Sequence, residues 1–200
     1  ADPVLTATVT GLVNEEDEIV YSLGREEGED VGTYAITPTG NATQGNYSVN
    51  YVPGTLTIGQ KEMTDAEANA TGFNVVYDGT AHTISIVNTI GATVSYTVED
   101  EETSPSATNV SESQAEVVVT FTHPNYVTKT VTVAKVITPK PITVTADDKS
   151  KIYGAEDPAL TATVEGLVNE EDEIVYSLGR AEGEDVGTYA ITPTGNATQG

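Results

Sequence analysis

The chain has 200 residues and carries 31 Asp and Glu against eight Lys and Arg, a net charge of −23. A surface of that charge repels phosphate backbones and anionic membranes, which argues against binding to nucleic acid and against membrane insertion of this segment. The sequence has no cysteine, which excludes disulfides and thiolate metal sites, and no apolar run of the roughly 20 residues needed to cross a bilayer.

Alternating apolar and polar residues predict a series of short strands in the first 59 residues. The alternating positions are Leu5, Ala7 and Val9, then Tyr21 and Leu23, then Tyr47, Val49 and Tyr51, and last Leu56 and Ile58. We expect Gly24 to close the second strand and the turn at Pro53-Gly54 to join the last two strands into a hairpin. The acidic run 14–18 fits either a loop or a single helical turn.

An Asp-x-Gly-x-Tyr run from Asp30 to Tyr34 leads into a further strand. It resembles the tyrosine corner of immunoglobulin-like sandwiches, in which the tyrosine hydroxyl bonds to the backbone a few residues upstream. The strands predicted here are rich in Thr and Val, a composition typical of β-structure. The sequence therefore predicts an all-β fold.

Residues 60–139 continue this pattern. Val76-Tyr77 leads to an Asp78-Gly79 turn, an acidic loop occupies 99–102, and a second turn is expected at His123-Pro124-Asn125. The alternating positions between and after these turns are Ile84 and Ile86, then Val94, Tyr96 and Val98, then Val117, Val119 and Phe121, and last Val131 and Val133. Six or seven short strands at regular spacing predict a small β-sandwich.

The strongest feature of the sequence is an internal repeat. Residues 1–45 recur as residues 156–200, and the two segments differ only at the pairs Ala1/Glu156, Val4/Ala159, Thr10/Glu165 and Glu26/Ala181. The offset of 155 residues is too long for a solenoid unit of about 20–50 residues, so it predicts two alternating types of small domain.

We place three segments on this basis. Residues 1–59 form a partial module that lacks its first strand (the first copy), residues 60–139 form a whole module (the middle module), and residues 140–200 form a partial module that lacks its last hairpin (the second copy). Pro139 and Pro141 make the second boundary stiff and extended. Because Ala1-Asp2-Pro3 does not resemble a signal peptide, we expect the segment to belong to a longer chain.

Several motifs of the two copies resemble the MBG-type repeat of the YGX class. They are Pro141-Ile-Thr-Val-Thr-Ala-Asp, Lys151-Ile-Tyr-Gly, Asp157-Pro-Ala-Leu-Thr, Gly187-Thr-Tyr-Ala-Ile, Asn46-Tyr-Ser-Val and Gly54-Thr-Leu-Thr-Ile. The middle module, with Tyr77-Asp-Gly-Thr-Ala-His, is similar to the bacterial immunoglobulin-like repeats that accompany them. The resemblance implies tandem immunoglobulin-like β-sandwich modules on the bacterial cell surface, with a role in adhesion or spacing. A β-grasp-like sheet is the alternative for the MBG-type module if its acidic turn is a short crossing helix.

No pattern in the sequence points to catalysis. The two histidines, His82 and His123, fall in different strands or turns, and there is no nucleophile elbow, phosphate-binding glycine loop or zinc spacing. Tyr47 and Tyr51 could stack on a sugar, but their alternation with Val49 favours a core role. We therefore expect no enzyme activity, no catalytic residue and no cofactor-binding residue.

Acidic clusters are the candidate metal site, because carboxylate oxygens suit Ca²⁺. The candidate ligands are Glu15, Asp17, Glu99, Asp100, Glu170 and Asp172. None of these clusters has the alternating Asp spacing with glycine that a known calcium loop has. A solvated charged face is the favoured interpretation, and we expect no cofactor.

The leading functional hypothesis is a structural stalk, because a spacer needs repetition and not a unique pocket. The alternatives are a ligand-binding adhesin module that recognises host glycan, mucin or protein, and an accessory module of a surface carbohydrate-active enzyme. The expected partners are other repeats of the same chain and, in the adhesin hypothesis, a host glycan or protein. A module without its terminal strand has unpaired backbone groups at a sheet edge, so we also expect strand pairing with a neighbouring molecule or continuation into further repeats.

Overall fold

The computed structural model describes residues 2–199, so that Ala1 and Gly200, the outermost positions of the repeat, lie outside the described residues. Within that range strands make up 44% of the residues and lie in several sheets that are consistent with a sandwich-like fold. The one helical element of these residues is a 3₁₀ turn at Val110–Glu112. The all-β prediction is confirmed. None of the described residues forms a helix with the length and apolar character needed to cross a bilayer.

The strands, numbered along the chain, fall into the three segments as follows. The first copy contains β1 (Ser22–Arg25), β2 (Gly32–Thr39), β3 (Thr43–Gln44), β4 (Tyr47–Ser48) and β5 (Gly54–Ile58). The middle module contains β6 (Ala68–Thr71), β7 (Phe73–Val76), β8 (His82–Thr83), β9 (Ser85–Asn88), β10 (Thr93–Val98), β11 (Glu101–Glu102), β12 (Ser106–Ala107), β13 (Gln114–His123) and β14 (Tyr126–Thr138). The second copy contains β15 (Thr143–Ala146), β16 (Ala162–Glu165), β17 (Tyr176–Arg180) and β18 (Ile191–Gly195).

In the first copy the predicted hairpin at Pro53-Gly54 is wrong. Strand β4 pairs with β3, while β5 pairs antiparallel with β2, with Gly32 opposite Ile58 and Ile36 opposite Gly54. Strands β1, β2 and β5 thus form a three-stranded sheet in that order. The alternating pattern located β5, but of the predicted strand residues Tyr47, Val49 and Tyr51 only Tyr47 lies in a strand. The pattern also carried no information on which strand each would join. Gly24 does not close β1 either, because it lies inside that strand.

The recurring sequence has a different strand content in its two copies. Residues 7–10 form no strand, although the corresponding residues 162–165 form β16, which pairs with β15. The strand predicted at residues 5–9 is therefore wrong for the first copy and confirmed for the second. Conversely, β2 begins at Gly32, whereas its counterpart β18 begins only at Ile191, because the residues before it have no strand equivalent to β5 beside them. Partner strands decide which of these residues become a strand.

The middle module has a five-stranded sheet in the order β11-β10-β13-β14-β7, in which β7 and β14 run parallel. The alternating positions predicted for this module fall mostly on strands β9, β10, β13 and β14. Its core contains the largest fully buried side chains of residues 2–199, which are Phe121, Ile137, Val117 and Val119. Lys135 is also buried, and its Nζ donates to the carbonyl oxygen of Ser104 at 2.9 Å and to Thr103 Oγ1 at 3.3 Å.

The tyrosine corner is present in both copies. The hydroxyl of Tyr34 donates to the carbonyl oxygen of Asp30 at 2.8 Å, and that of Tyr189 donates to Asp185 at 2.9 Å. The ring of Tyr34 lies so close to Gly28 that a Cβ there would be 2.2 Å from its Cε1 atom. The tyrosine-corner prediction is confirmed by these two hydroxyl bonds. The loop before the corner has a requirement of its own, because only glycine fits at position 28.

The acidic run 14–18 is a turn. The backbone N–H of Asp17 donates to the carbonyl oxygen of Asn14 at 3.2 Å, and Asp172 and Asn169 repeat this bond in the second copy at 3.2 Å. The crossing helix that a β-grasp-like module would need is absent from residues 2–199.

Contacts divide the chain into two compact units. The first comprises residues 1–69, 87–94 and 120–130, and the second comprises residues 70–86, 95–119 and 131–200. Each unit thus combines one copy of the repeat with part of the middle module. The predicted boundaries at residues 59/60 and 139/140 follow the sequence types and stay a prediction.

Substitution Phe121→Ala tests the core assignment. We expect the free energy of unfolding to fall by about 3–5 kcal/mol, because removing a buried aromatic ring leaves a cavity that the strands cannot fill. Urea unfolding followed by circular dichroism measures this change. The matched control is Val87→Ala, at a side chain that is 43% exposed, and should cost less than about 1 kcal/mol. Equal losses in the two variants would contradict the assignment.

Candidate functional site

The residues of most functional interest lie where the middle module meets each copy of the repeat. At the first junction, which lies within the first unit, the backbone of Lys61 joins the start of β14. Its N–H donates to the carbonyl oxygen of Asn125 at 3.1 Å, and its carbonyl oxygen accepts from Val127 at 3.0 Å. Lys61 Nζ lies 5.5 Å from the ring centre of Tyr126 and 2.6 Å from a carboxylate oxygen of Glu67. Backbone hydrogen bonds therefore hold the chain in place from Lys61, two residues after the end of the first copy.

Asn125 fastens the same junction through its side chain. Its Oδ1 accepts from the backbone N–H of Val31 at 2.9 Å, and its Nδ2 donates to Asp30 Oδ1 at 2.6 Å. An asparagine amide has both a donor and an acceptor, so one side chain can hold both groups. The backbone N–H of Asn125 in turn bonds His123 Nδ1 at 3.1 Å, which gives this histidine a role in shaping the turn.

At the second junction, which lies within the second unit, the Asp78-Gly79 turn contacts the second copy. A Cβ built on Gly79 would lie 2.8 Å from Val168 Cγ1, and the φ of Gly79 is +77°. Both the backbone conformation and the close approach therefore require glycine. The backbone N–H of Tyr77 bonds Thr138 at 2.9 Å, which extends the β7–β14 pairing to the point where 139–141 begins.

Asp78 holds the shape of that turn. Its carboxylate accepts from the backbone N–H of Thr80 at 2.9 Å and from the Thr80 hydroxyl at 2.8 Å, and His82 Nε2 lies 3.1 Å away. Hydrogen bonds from Thr80, and then from His82, lower the pKa of Asp78 to about 2. The Tyr77-Asp-Gly-Thr-Ala-His motif therefore forms a turn that is held by hydrogen bonds to Asp78, and His82 is one of the partners of Asp78.

Each copy of the repeat has two contact patches, one at residues 13/168 and one at residues 30–31/185–186. In the first copy Val31 is 37% exposed at its junction, while Val13 is 83% exposed. In the second copy the pattern is reversed, because Val168 is half-buried at its junction and Val186 is 91% exposed. The sequence of the repeat therefore provides two different docking patches, and each copy uses one of them here.

An arginine cluster holds the loop before the tyrosine corner in both copies. Arg180 donates to Asp157 at 2.6 Å, to the carbonyl oxygens of Ala181 at 2.9 Å and Gly183 at 2.7 Å, and to the carboxylate of Glu184. Arg25 makes the corresponding four contacts in the first copy with Asp2, Glu26, Gly28 and Glu29. The second copy adds Lys151, whose Nζ lies 2.6 Å from both Asp157 and Glu184. The sequence analysis placed strands by the alternation of apolar residues. That pattern carries no information on a cluster of polar side chains, so this cluster was not predicted.

The calcium candidates lie in separate turns. Asp17 accepts hydrogen bonds from the hydroxyl of Tyr47 and from Asn14, which lower the pKa of its carboxyl below the usual range. Asp172 accepts from Asn169, Glu99 and Asp100 form the tight turn between β10 and β11, and Glu15 and Glu170 are exposed. Among residues 2–199 no three His, Asp or Glu side chains come together in a group that could hold a metal ion. The expectation that these carboxylates form a solvated charged face and hold no cofactor stays a prediction.

Comparison with known proteins identifies the two copies. The family described as the MBG domain of YGX type matches residues 1–57 and 142–199, which together make up more than half of the chain. No curated protein and no solved structure matches the chain. The match does not extend over residues 58–141, and the similarity of the middle module to immunoglobulin-like repeats stays a prediction.

Substitution Asn125→Ala tests the first junction. We expect the backbone N–H of Val31 to exchange with solvent about tenfold faster or more, because it loses its acceptor. Hydrogen exchange measured by NMR reports this amide individually, and Val186, the same residue in the second copy, serves as an internal reference. Asn50→Ala at an exposed position is the matched control. Unchanged exchange at Val31 would contradict the assigned contact.

The arginine cluster gives a pH prediction. Hydrogen bonds from Arg180, and then from Lys151, lower the pKa of Asp157 to about 2 from its ordinary 3.8. A carboxyl with a depressed folded-state pKa stabilises the fold above the unfolded value, and this stability is lost as the pH falls from about 4 through 2. We therefore expect the melting temperature of Asp157→Asn to be lower at pH 7 and to fall less between pH 4.5 and 2. The exposed Asp148→Asn should retain the full pH dependence, and identical profiles for both variants would refute the role of Asp157.

Proposed function

This chain belongs to the YGX-type MBG domain family, and we propose that it is a non-catalytic spacer that projects a distal binding region from a bacterial cell surface. Domains of this family occur as repeat modules of bacterial surface proteins. The observation that carries the proposal is that both junctions are held by specific contacts, made by Asn125 at one and by Gly79 at the other.

Specific contacts at the junctions matter because a spacer keeps two points apart only if its joints resist bending. Free linkers behave as flexible coils, and domains joined by them move relative to each other. Here the first connection enters backbone pairing at Lys61, and the second is limited to residues 139–141, two of which are proline. Both features favour stiff joints and support a mechanical role.

Repetition with two docking patches supports the same proposal. Each MBG copy carries the patch that contacts Gly79 and the patch that contacts Asn125. Alternating modules can therefore be added at either end of the chain, in the same order and with the same contacts. Length would then grow by roughly 35 Å for each module, as expected from compact-domain dimensions.

The negative charge suits a crowded surface. Parallel stalks with a net charge of −23 per 200 residues repel one another, and the repulsion keeps exposed strand edges from pairing at random. The range of this repulsion is set by screening and is about 8 Å at physiological ionic strength. The charge therefore separates neighbouring stalks without changing the contacts within each one.

Small-angle X-ray scattering on chains with one, two and three copies of the 155-residue repeat tests the proposal. We expect the maximum dimension to rise in direct proportion to the number of repeats. A rise with the square root of that number would indicate free joints and would contradict a stiff spacer.

Two glycine variants test whether the contact between Gly79 and Val168 makes the second joint stiff. Gly79→Ala should broaden the distance distribution, since a methyl group there would meet Val168 at 2.8 Å. Gly91→Ala carries the same backbone cost, with a φ of +71°, but its Cβ would meet nothing within 4 Å. A glycan or mucin binding assay on the same chains addresses the adhesin alternative, and saturable binding would be incompatible with a pure spacer.

A further inference from the structure

The middle module begins with a chain segment that pairs twice with its last strand, β14. Within the first unit, Lys61 forms an isolated parallel bridge with Tyr126, the residue at which β14 begins. Within the second unit, β7 runs parallel to residues 135–138, the end of β14. Both pairings therefore join the part of the chain that enters the module to the strand by which the chain leaves it.

The segment that contains β7 lies closely against β14. A Cβ built on Gly72, the residue before β7, would lie 2.0 Å from the backbone oxygen of Ala134. The ladder continues past the end of β7, since the N–H of Tyr77 donates to the carbonyl oxygen of Thr138 at 2.9 Å. The Thr138 hydroxyl also donates to the carbonyl oxygen of Val75 at 3.2 Å. Main-chain and side-chain hydrogen bonds therefore both connect β7 to β14.

Strand β14 is the more firmly held of the two strands. It lies between β13 and β7 in the five-stranded sheet, and its residue Ile137 is buried. The backbone N–H of Ile137 donates to Ser113 Oγ at 2.9 Å, and the Ser113 hydroxyl donates to the carbonyl oxygen of Ile137 at 3.1 Å. Strand β7 is instead the edge of that sheet, and Val76 on it is exposed. A pull that separates the two strands would therefore displace β7 and leave β14 in place.

The direction of the two strands decides how they respond to tension. A load carried by the chain reaches the module at Gln60, before β7, and leaves it at Pro139, after β14. Because β7 and β14 run in the same direction, these two pulls act along the strands in opposite senses and slide one strand past the other. The hydrogen bonds of a parallel ladder are evenly spaced, so they are loaded together. An antiparallel hairpin that is pulled at its two open ends would instead lose its hydrogen bonds one at a time.

We propose that the middle module is a tension-bearing clamp, in which the parallel pairing of Lys61 and β7 with β14 carries a load applied along the chain. Unfolding under force is governed by the unfolding rate, so hydrogen bonds that must break together lengthen the lifetime of the folded module. This resistance to stretching differs from the stiffness of the joints, which concerns bending. It holds whether or not the chain acts as a spacer.

Constant-force optical tweezers on the 200-residue chain test the clamp through the direction of pulling. The sequence has no cysteine, so a pair of introduced cysteines attaches the two handles at defined sites. Gly59→Cys with Lys140→Cys loads β7 and β14 from opposite ends, whereas Ala81→Cys with Lys140→Cys loads both strands from their C-terminal ends. We expect the folded lifetime at equal force to be about tenfold longer or more in the first geometry, because at least two hydrogen bonds must then break together. Equal lifetimes, or a longer lifetime in the second geometry, would overturn the proposal.

Two proline variants test whether the β7–β14 ladder carries the load. The N–H of Tyr77 donates to β14, and successive N–H groups along a strand point to opposite sides, so that of Val75 also faces β14 and that of Val76 faces away. Val75→Pro removes a donor of the ladder and should shorten the lifetime in the first geometry about fivefold or more. Val76→Pro is the matched control, because an edge strand tolerates a proline whose missing N–H would face away from the sheet.

A loss of the same size in both proline variants would also overturn the proposal, since the ladder would then carry no particular share of the load. The comparison of pulling directions needs neither variant, so it decides the matter if Val75→Pro does not fold. None of these outcomes depends on the dimensions of longer chains, which test the spacer role.

Discussion

Backbone pairing is the constraint on which the rest of this structure depends. An N–H or C=O group gains little from an extended conformation unless a neighbouring strand takes up its hydrogen bond. The repeat demonstrates this directly, because residues 162–165 form β16 beside β15 while the same sequence at residues 7–10 forms no strand. Thr- and Val-rich composition makes a segment suited to a sheet, and the partner strand decides whether the segment joins one.

The two module types are stabilised in different ways. The buried hydrophobic side chains among the described residues all lie between Met63 and Ile137, in and around the middle module. The MBG copies instead use polar side chains that bond to backbone, such as Arg25 to the carbonyl oxygens of Glu26 and Gly28 and Tyr34 to that of Asp30. Each such bond is worth about 1 kcal/mol, so these modules depend on many of them together. Sandwich-like modules without a disulfide can persist on this basis.

Much of this could be predicted from the sequence, and the failures share one cause. The alternating positions of β13 and β14, the Asp-x-Gly-x-Tyr corner and the turn at Asp78-Gly79 depend on residues close together in the chain, and all were predicted. The pairing of β5 with β2, the parallel pairing of β7 with β14 and the burial of Lys135 depend on residues far apart in the chain. A single sequence holds no record of such contacts. For the same reason the docking patches at Val13 and Val31 gave no signal of their own.

Gly79 and Asn125 explain how one repeat can serve two different junctions. Gly79 offers no side chain, so the hydrophobic Val168 can approach the backbone of its turn. Asn125 instead presents a donor to the carboxylate of Asp30 and an acceptor to the backbone N–H of Val31. The two patches of an MBG module therefore differ in chemistry, one apolar and one polar. A middle module that met a copy through the wrong turn would bring an asparagine amide against an exposed valine and leave the amide groups without partners. This difference fixes the order in which the modules can follow each other.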